Sequence, residues 1–297
     1  MAELTHTTSL PTPDTKLYSG NCHCGAFRFS VSLPEIKGVM ICNCSYCTKL
    51  GAMWVFPGEN PLVIQGGEEE LKIYEFGAKA IGFKFCGVCR TVVYSKKYEG
   101  PKGHDTGINV RCIQGLDLGS LKAKEYDGAK LDPQYEHPKF KGFFPSAKIE
   151  NPKIYKGACH CGAVTMALKV QGSLVGTSAE NVYIQECNCS ICVRNGTILN
   201  FPRSDQVRIL GADKLTGYTF GRGFQEHKLC GICGVSVYIK KLEVTDEQWA
   251  KDGEESTTKE DWMLERAVNL RCFEKVEWDE IKVTKVNGKD GEAYVVE

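Results

Sequence analysis

The sequence predicts a mainly β protein made of two copies of one cysteine-rich domain. Three observations lead to this prediction. The 16 cysteines fall into two sets of eight in the same order, the residues around them repeat, and the segments between them alternate apolar and polar residues as strands do. A chain of 297 residues is long enough for about two ordinary domains. We therefore expect the same small β fold twice.

The duplication is visible in four pairs of matching motifs. GNCHCGAF matches GACHCGAV, CNCSYC matches CNCSIC, FCGVCRTVVY matches LCGICGVSVY, and NVRC matches NLRC. The offset between the copies is 137 residues from Cys22 to Cys159 and 160 residues from Cys112 to Cys272. The second copy therefore contains insertions relative to the first.

The boundary between the copies is predicted in a segment rich in proline and glycine. Residues 126–157 show no periodicity, which is typical of a linker that crosses a surface. The N-terminal segment is polar and lacks the apolar core of a signal peptide. We predict a disordered tail over residues 1–16, a first domain over 17–147 and a second domain over 148–297.

Composition restricts the class of partner. Lysine plus arginine equals aspartate plus glutamate at 37 each, so the formal net charge is zero. Such a chain lacks the basic surface that nucleic acids or anionic membranes attract, and we predict neither partner. No segment is long enough to span a bilayer. We expect a cytoplasmic protein, in which thiols stay reduced and clustered cysteines bind metal.

Local patterns predict individual elements. The segments AFRFSVSL, LVIQG, AVTMALKV and SVYIKKL are predicted as strands, with the cysteines at hairpin ends. NVRC and NLRC are also interpreted as strand residues. The larger insertion contains Thr245 and Gln248 at the spacing of a capping box, which predicts the start of a short helix.

Two cysteine pairs in each copy predict a closed zinc site. A C-x-C pair and a distant C-G-x-C pair supply four thiolates, the tetrahedral set of structural zinc with Zn–S bonds near ~2.3 Å. The alternatives are a pair of disulfides or plain buried thiols. The predicted ligands are Cys22, Cys24, Cys86 and Cys89 in the first copy, and Cys159, Cys161, Cys230 and Cys233 in the second.

The remaining C-x-C-x2-C cluster predicts a reactive zinc site, because three protein ligands and one open position are typical of catalytic zinc. Three soft thiolates suit the binding of a further sulfur donor, such as a substrate thiol, better than the generation of hydroxide. In the alternative, Cys112 or Cys272 completes a closed four-cysteine site. The predicted catalytic ligands are Cys42, Cys44 and Cys47 in the first copy, and Cys187, Cys189 and Cys192 in the second.

Several charged and titratable residues lie beside these clusters. Lys49 and Arg194 follow the three-cysteine clusters, and we predict that they bind a carboxylate of an anionic thiol substrate; the alternative is a pair of solvated cations. His23 and His160 each lie between two predicted ligands and are interpreted as spacers. His227, where the first copy has a phenylalanine, is a candidate for proton transfer in the second copy.

The order of motifs resembles that of the glutathione-dependent formaldehyde-activating enzymes, a family that includes the centromere protein V group. The family pattern is G-x-C-x-C-G, then C-x-C-S-x-C, then F-C-x-x-C-G. Here it stands as GNCHCG, CNCSYC and FCGVCR, and again as GACHCG, CNCSIC and LCGICG. Arg90 departs from the pattern, because it replaces the last glycine in the first copy.

This resemblance implies two tandem zinc-binding β-tent-like domains, each with one structural and one catalytic Zn²⁺. It also implies a carbon–sulfur lyase that condenses formaldehyde with glutathione, as co-substrate, to S-hydroxymethylglutathione. The leading hypothesis is therefore a zinc enzyme acting on a thiol–aldehyde adduct. The alternatives are a zinc lyase or isomerase of specialised metabolism that acts on another small molecule, and a non-catalytic zinc scaffold for protein binding.

Overall fold

The computed structural model describes residues 15–100, 105–175, 183–253, 257–290 and 294. Within these ranges the chain forms 20 strands and four short helices, so the predicted mainly β class is confirmed. Residues 1–14 of the predicted tail lie outside the described residues. None of the helices in the described ranges has the length and hydropathy needed to cross a bilayer.

The two halves contain corresponding strands and helices. The first half contains β1 (Lys16–Asn21), β2 (Arg28–Leu33), β3 (Gly38–Cys42), α1 (Ser45–Leu50), β4 (Trp54–Val55), β5 (Val63–Gly66), β6 (Leu71–Tyr74), β7 (Ile81–Cys86), β8 (Val92–Lys97), β9 (Thr106–Asn109) and β10 (Lys122–Tyr126). The second half contains β11 (Pro152–Ala158), β12 (Thr165–Gln171), β13 (Ile184–Cys187), α2 (Ser190–Asn195), β14 (Leu199–Asn200), β15 (Val207–Leu210), β16 (Leu215–Tyr218), β17 (Gln225–Cys230), β18 (Ser236–Lys241), α3 (Asp246–Asp252), α4 (Lys259–Leu264), β19 (Arg266–Asn269) and β20 (Thr284–Val286).

Each half builds one three-stranded and one seven-stranded sheet with the same topology. The small sheets have the orders β1-β2-β5 and β11-β12-β15. The large sheets have the orders β10-β3-β4-β9-β8-β7-β6 and β20-β13-β14-β19-β18-β17-β16. In both, the last strand of the half pairs in parallel with the strand that leads into the three-cysteine cluster. This shared order agrees with the duplication seen in the sequence.

The four segments predicted as strands are confirmed as β2, β5, β12 and β18. In β2 the apolar side chains of Phe29, Val31 and Leu33 lie in the core, as alternation requires. In NVRC and NLRC only the asparagine is a strand residue, because it ends β9 or β19. The strand interpretation is wrong for the other three residues, which form a 3-10 turn. The side chain of Asn109 accepts a hydrogen bond from the Arg111 N–H, which stabilises the turn.

The predicted helix start at Thr245 is confirmed by α3. The Thr245 hydroxyl accepts from the Gln248 N–H at 3.1 Å, and the Gln248 side chain accepts from the Thr245 N–H at 2.8 Å. These reciprocal bonds satisfy two donors that the helix leaves unpaired. The second helix of the insertion, α4, buries Trp262 beside Phe224 and Trp249. The insertion therefore packs against Phe224 through a small apolar cluster.

The principal hydrophobic core contains side chains of both halves. Tyr46 and Phe83 from the first half pack in the same cluster as Met166 and Val235 from the second. The buried Tyr46 hydroxyl donates to the carbonyl oxygen of Cys233 at 2.7 Å. Burial of apolar surface is the dominant stabilising contribution in folding, so the two halves stabilise each other.

The C-terminal ends of α1 and α2 lie against each other. Arg111 donates from Nε to the Gly51 carbonyl at 2.6 Å and from Nη1 to the Val193 carbonyl at 3.1 Å. Arg271 makes the reverse contact from the second half, donating to the Thr48 carbonyl at 3.4 Å. Helix C-terminal carbonyls carry partial negative charge, so a cation is favourable there. The two arginines thus join the two three-cysteine segments.

Candidate metal centres and cavity

The predicted closed clusters come together in both halves. The four sulfur atoms of each cluster lie within 4.8 Å of one another. Cys24 Sγ is 3.6 Å from the sulfurs of Cys22 and Cys86, and the second cluster shows the same spacing. A tetrahedron with Zn–S bonds of ~2.3 Å has edges of about 3.8 Å. The sulfurs are therefore spaced for a tetrahedral metal ion.

The local fold explains this spacing. Cys22 and Cys24 lie in the turn from β1 to β2, Cys86 ends β7, and Cys89 lies in the turn from β7 to β8. Backbone N–H groups in these turns donate to the sulfurs, for example from Phe27 to Cys22 at 3.3 Å. Such donors stabilise thiolate charge. The turn backbone is thus arranged for ionised, metal-binding sulfur.

The surroundings of Arg90 give a second reason to expect a metal ion in the closed clusters. It is 5% exposed, has a φ of 60°, and donates from Nη2 to Thr216 Oγ1 at 3.0 Å. Its Nε and Nη1 find no hydrogen-bond partner among the described residues. Burial lowers the pKa of the Arg90 guanidinium, while the thiolates of Cys86, Cys230 and Cys89 act in the opposite direction. A buried cation is costly without an anionic neighbour. Four thiolates around a divalent ion carry net negative charge, so the residues present fit zinc.

The predicted three-cysteine clusters also form. We call Cys42, Cys44 and Cys47 the first triad, and Cys187, Cys189 and Cys192 the second triad. The three sulfurs of each triad lie within 4.8 Å of one another. In the first triad one cysteine ends β3, the next is the N-cap of α1, and the third lies in α1. Strand end and helix start therefore position the three sulfurs together.

The backbone of a later segment passes close to each triad. A Cβ atom at Gly128 would lie 2.5 Å from Cys42 Sγ, and one at Gly288 would lie 2.5 Å from Cys187 Sγ. A side chain at either position would collide with the ligand sulfur. The glycine lets the segment that follows β10 or β20 pass directly over the triad.

The contacts of Cys112 and Cys272 do not support the alternative in which one of them is the fourth ligand of a triad. Cys112 and Cys272 belong to none of the sulfur groups formed by the described residues. Both are fully buried, and their thiols donate to the carbonyl oxygens of Val92 at 3.5 Å and Ser236 at 3.4 Å. Each triad thus has three cysteine sulfurs.

Each triad favours one ionised thiol. Hydrogen bonds from Cys44 and Cys47 lower the pKa of Cys42 to about 3, and hydrogen bonding within the triad raises the pKa of Cys47 well above its usual range. In the second triad the same interactions lower the pKa of Cys187 to about 2 and raise that of Cys189 to about 12. Metal ligation requires deprotonated thiols, so binding of an ion releases protons from the triad.

The histidine of each closed cluster contacts the triad helix of the opposite half. His160 is hydrogen-bonded through Nε2 to Ser45 Oγ at 2.9 Å and through Nδ1 to the Tyr74 hydroxyl at 2.7 Å. The Tyr135 ring stacks on it with centroids 4.4 Å apart. Burial lowers the pKa of His160 to about 3, so the ring is neutral. Each triad is therefore bounded by residues of both halves.

The second half repeats this arrangement with exchanged partners. His23 is hydrogen-bonded to Ser190 Oγ and to the Tyr218 hydroxyl, each at 2.7 Å, and stacks on Tyr294. The spacer interpretation of both histidines missed this contact, although neither ring belongs to a metal group in the described residues. The serine that recurs in CNCSYC and CNCSIC is the sequence feature that could have indicated this contact.

The two predicted substrate-binding cations contact the protein itself. Lys49 is 4% exposed, and its ammonium donates to the carbonyl oxygens of Ala158 and Cys272, both at 3.1 Å. Arg194 donates to the carbonyl and side-chain oxygens of Asn21, both at 3.3 Å. In each case the acceptors belong to the opposite half. Binding of a substrate carboxylate by either residue stays a prediction.

A cavity of about 1530 Å³ opens on the first triad. Its lining includes all three triad cysteines, His160 and Arg271 from the second half, and residues 131–138. The segment predicted as a surface linker therefore supplies part of the cavity wall. The sequence contained no local signal for this wall, because the segment lacks regular periodicity.

A solved structure and a protein family are similar to parts of this chain. A crystal structure of a Rhodobacter sphaeroides protein is 28% identical to this chain, covering 43% of this chain and 99% of that one, with a TM-score of 0.30. The family model described as glutathione-dependent formaldehyde-activating enzyme matches residues 17–125 and again residues 154–260. These two segments contain both sets of closed-cluster and triad cysteines. The chain therefore belongs to the glutathione-dependent formaldehyde-activating enzyme family.

Proposed function

We propose that the protein is a zinc-dependent carbon–sulfur lyase acting on a thiol–aldehyde adduct, with glutathione and formaldehyde as the first pair to test. The observation that supports this most directly is the grouping of three cysteine sulfurs, without a fourth, beside an open cavity. Family membership supports the class of substrate. Addition of a thiol to an aldehyde forms one C–S bond and moves the thiol proton to the carbonyl oxygen, so the reaction needs no oxidant.

In this proposal the two triads hold the reactive zinc ions and the two closed clusters hold structural ones. Bound at a triad, zinc supplies an open coordination position that accepts a soft sulfur donor. The protein groups around the first triad stabilise thiolate charge on the ligands. The Trp54 indole N–H donates to Cys47 Sγ at 3.3 Å, and the Cys44 N–H donates to Cys42 Sγ at 3.4 Å. Groups that orient the ligands in this way tune a metal site.

The opposite half supports the triad from the other side. The hydrogen bond between Ser45 and His160 holds the first turn of α1 against the closed cluster of the second half. Tyr46, the next residue, is buried and bonded to Cys233. Rigid support of this kind keeps ligand sulfurs in place during turnover. The proposed catalytic unit is therefore the pair of halves, and a single half would lack one side of its site.

The experiment is an exchange measurement on the full chain. Spontaneous adduct formation also occurs, so ¹³C-formaldehyde and glutathione would be followed by NMR exchange spectroscopy with and without protein. We expect faster exchange with unchanged equilibrium, and loss of the acceleration when Cys44→Ala and Cys189→Ala are combined. The matched control combines Cys112→Ala and Cys272→Ala, which removes two buried thiols outside the triads.

Either of two results would contradict the proposal. Full acceleration in the Cys44→Ala, Cys189→Ala protein would show that the triads are not the reactive centres. Absence of acceleration for every thiol–aldehyde pair, in protein that retains zinc at all four clusters, would favour the non-catalytic scaffold. Circular dichroism of each variant separates loss of activity from loss of fold.

A further inference from the structure

The cavity beside the first triad has an aromatic lining. Its rings include those of Trp54, Phe56, Tyr74, Phe76, Phe83 and Tyr126. Several of these rings contact one another, with centroid distances of 5.9 Å for Trp54 and Phe83 and 5.8 Å for Phe76 and Phe83. Phe56 and Tyr126 are 44% and 47% exposed, so large apolar surfaces face solvent within this lining. Exposed apolar surface of this kind marks binding sites.

The volume of the cavity exceeds what formaldehyde needs. Pockets for small molecules usually enclose about 300–1,000 Å³. The present cavity, at about 1530 Å³, lies above that range. A molecule of two heavy atoms would contact only a small part of the aromatic wall, and the volume leaves room for a thiol partner as well. The aromatic lining favours a partner with an apolar body.

The charges in the lining do not select an anion. Lys49 and Arg271 line the cavity, but both donate to backbone carbonyl oxygens. The other charged side chains are two lysines and four carboxylates: Lys79, Lys97, Glu99, Asp105, Asp132 and Glu136. With Lys49 and Arg271 included, four cations stand beside four carboxylates, so the charges in the lining balance. A balanced lining gives no net attraction to an anionic ligand such as glutathione.

The first half supplies most of this aromatic lining, and part of the lining has no aromatic counterpart in the second half. Strand pairing identifies which residues of the two halves correspond. Trp54 and Leu199 each pair with the corresponding asparagine of their own half, and Phe83 and His227 each pair with the corresponding tyrosine. Tyr126 and Val286 likewise occupy one position beside the first cysteine of their triads. Three rings of the lining are thus replaced by leucine, histidine and valine, whereas Tyr74 keeps an aromatic counterpart in Tyr218. The two halves therefore present different surroundings to similar triads.

We infer that the cavity beside the first triad binds a substrate with a planar aromatic body, whose reactive end reaches the triad. The thiol chemistry at that end rests on the proposed function, but the binding of the aromatic body does not. Aromatic ligands gain both apolar burial and ring–ring contacts in such a wall. The substrate class of the first half is therefore aromatic thiols or their aldehyde adducts.

The test uses full-length protein loaded with Co²⁺ in place of zinc and carrying Cys189→Ser, so that the first triad is the reporting site. Benzyl mercaptan, 2-mercaptoethanol and glutathione are titrated, and the sulfur-to-cobalt charge-transfer band reports thiol binding. We expect benzyl mercaptan to bind at least about tenfold more tightly than either other thiol, as burial of one ring implies. Benzyl alcohol, followed by tryptophan fluorescence, reports ring binding without a thiol.

Further variants replace a ring of the first half by the residue at the corresponding position of the second half. Tyr126→Val and Phe83→His should each reduce the preference for benzyl mercaptan several-fold and leave the affinity for 2-mercaptoethanol unchanged. Tyr126 is half exposed, so its replacement keeps the fold even if Phe83→His does not. The matched control is Phe143→Val, because Phe143 is 90% exposed and lies outside the cavity lining.

The outcomes separate this inference from the proposed function. Equal affinity for all three thiols would overturn the aromatic site and leave thiol binding at the triad intact. A cobalt spectrum that no thiol changes, with saturable binding of benzyl alcohol that Tyr126→Val weakens, would overturn the proposed chemistry and support the aromatic site. Absence of both signals would overturn both.

Discussion

Replacing Lys49 by methionine should destabilise the protein rather than weaken the binding of an anionic thiol. The Lys49 ammonium is buried and donates to two carbonyl oxygens of the second half, those of Ala158 and Cys272. Methionine has a similar length but no donor. The replacement therefore leaves two buried carbonyl groups of the opposite half without this partner.

The magnitude follows from these two bonds. A hydrogen bond to a charged group contributes about 1.5–3 kcal/mol, so two contribute about 3–6 kcal/mol. Relief from burying the ammonium offsets part of that amount, and breaking a buried charged contact typically costs about 3–5 kcal/mol. We expect a decrease of about 3 kcal/mol in the free energy of unfolding. That is a large share of the stability of an ordinary domain.

The assay is guanidinium chloride unfolding with excess zinc, followed by tryptophan fluorescence. Lys79→Met is the matched control, because Lys79 lines the same cavity and is exposed. A loss below about 0.5 kcal/mol in Lys49→Met, the range of ordinary surface changes, would refute the structural role. A selective loss of affinity for glutathione over 2-mercaptoethanol would instead support the substrate contact predicted from the sequence.

Three further predictions concern the contact between the halves, pH and metal. Arg111→Gln should lower the free energy of unfolding by about 2 kcal/mol, because the half-buried carbonyls of Gly51 and Val193, at the ends of α1 and α2, lose a charged donor. Urea unfolding measures this change, and replacement of the exposed Arg208 by glutamine is the control. Burial lowers the pKa of His227 to about 4 from its ordinary 6.5. The unfolded chain therefore takes up a proton first as pH falls, which favours unfolding. Between pH 6.5 and 4, the free energy of unfolding of the wild type should fall by up to about 3 kcal/mol relative to that of the His227→Phe variant. A difference between the two proteins that does not change with pH would contradict this. Elemental analysis should find about four zinc ions per chain, and about three in Cys44→Ala; an unchanged zinc content in that variant would show that the triad does not hold metal.

Local chemistry was predictable from the sequence because it depends on near neighbours. The C-x-C and C-x2-C spacings bring sulfurs together within one turn, and each triad forms from a single such segment. The closed clusters join two such pairs, 62 or 69 residues apart, and the repeated motifs indicated which pairs belong together. The capping box at Thr245 works over three residues, and the alternation in β2 works over six. The 3-10 turn that ends in Cys112 was missed, because the Asn109 side chain overrode the apparent strand pattern.

The sequence by itself determined the duplication, the mainly β class and the four cysteine groups, since each depends on a repeat or a spacing within the chain. Only the tertiary structure decided what surrounds those groups. His160 contacts Ser45 across 115 residues, and Lys49 contacts Ala158 across 109. Contacts between residues so far apart have no local period, because they depend on how two folded halves pack. The aromatic wall is likewise formed by strands that become neighbours only when the large sheet folds.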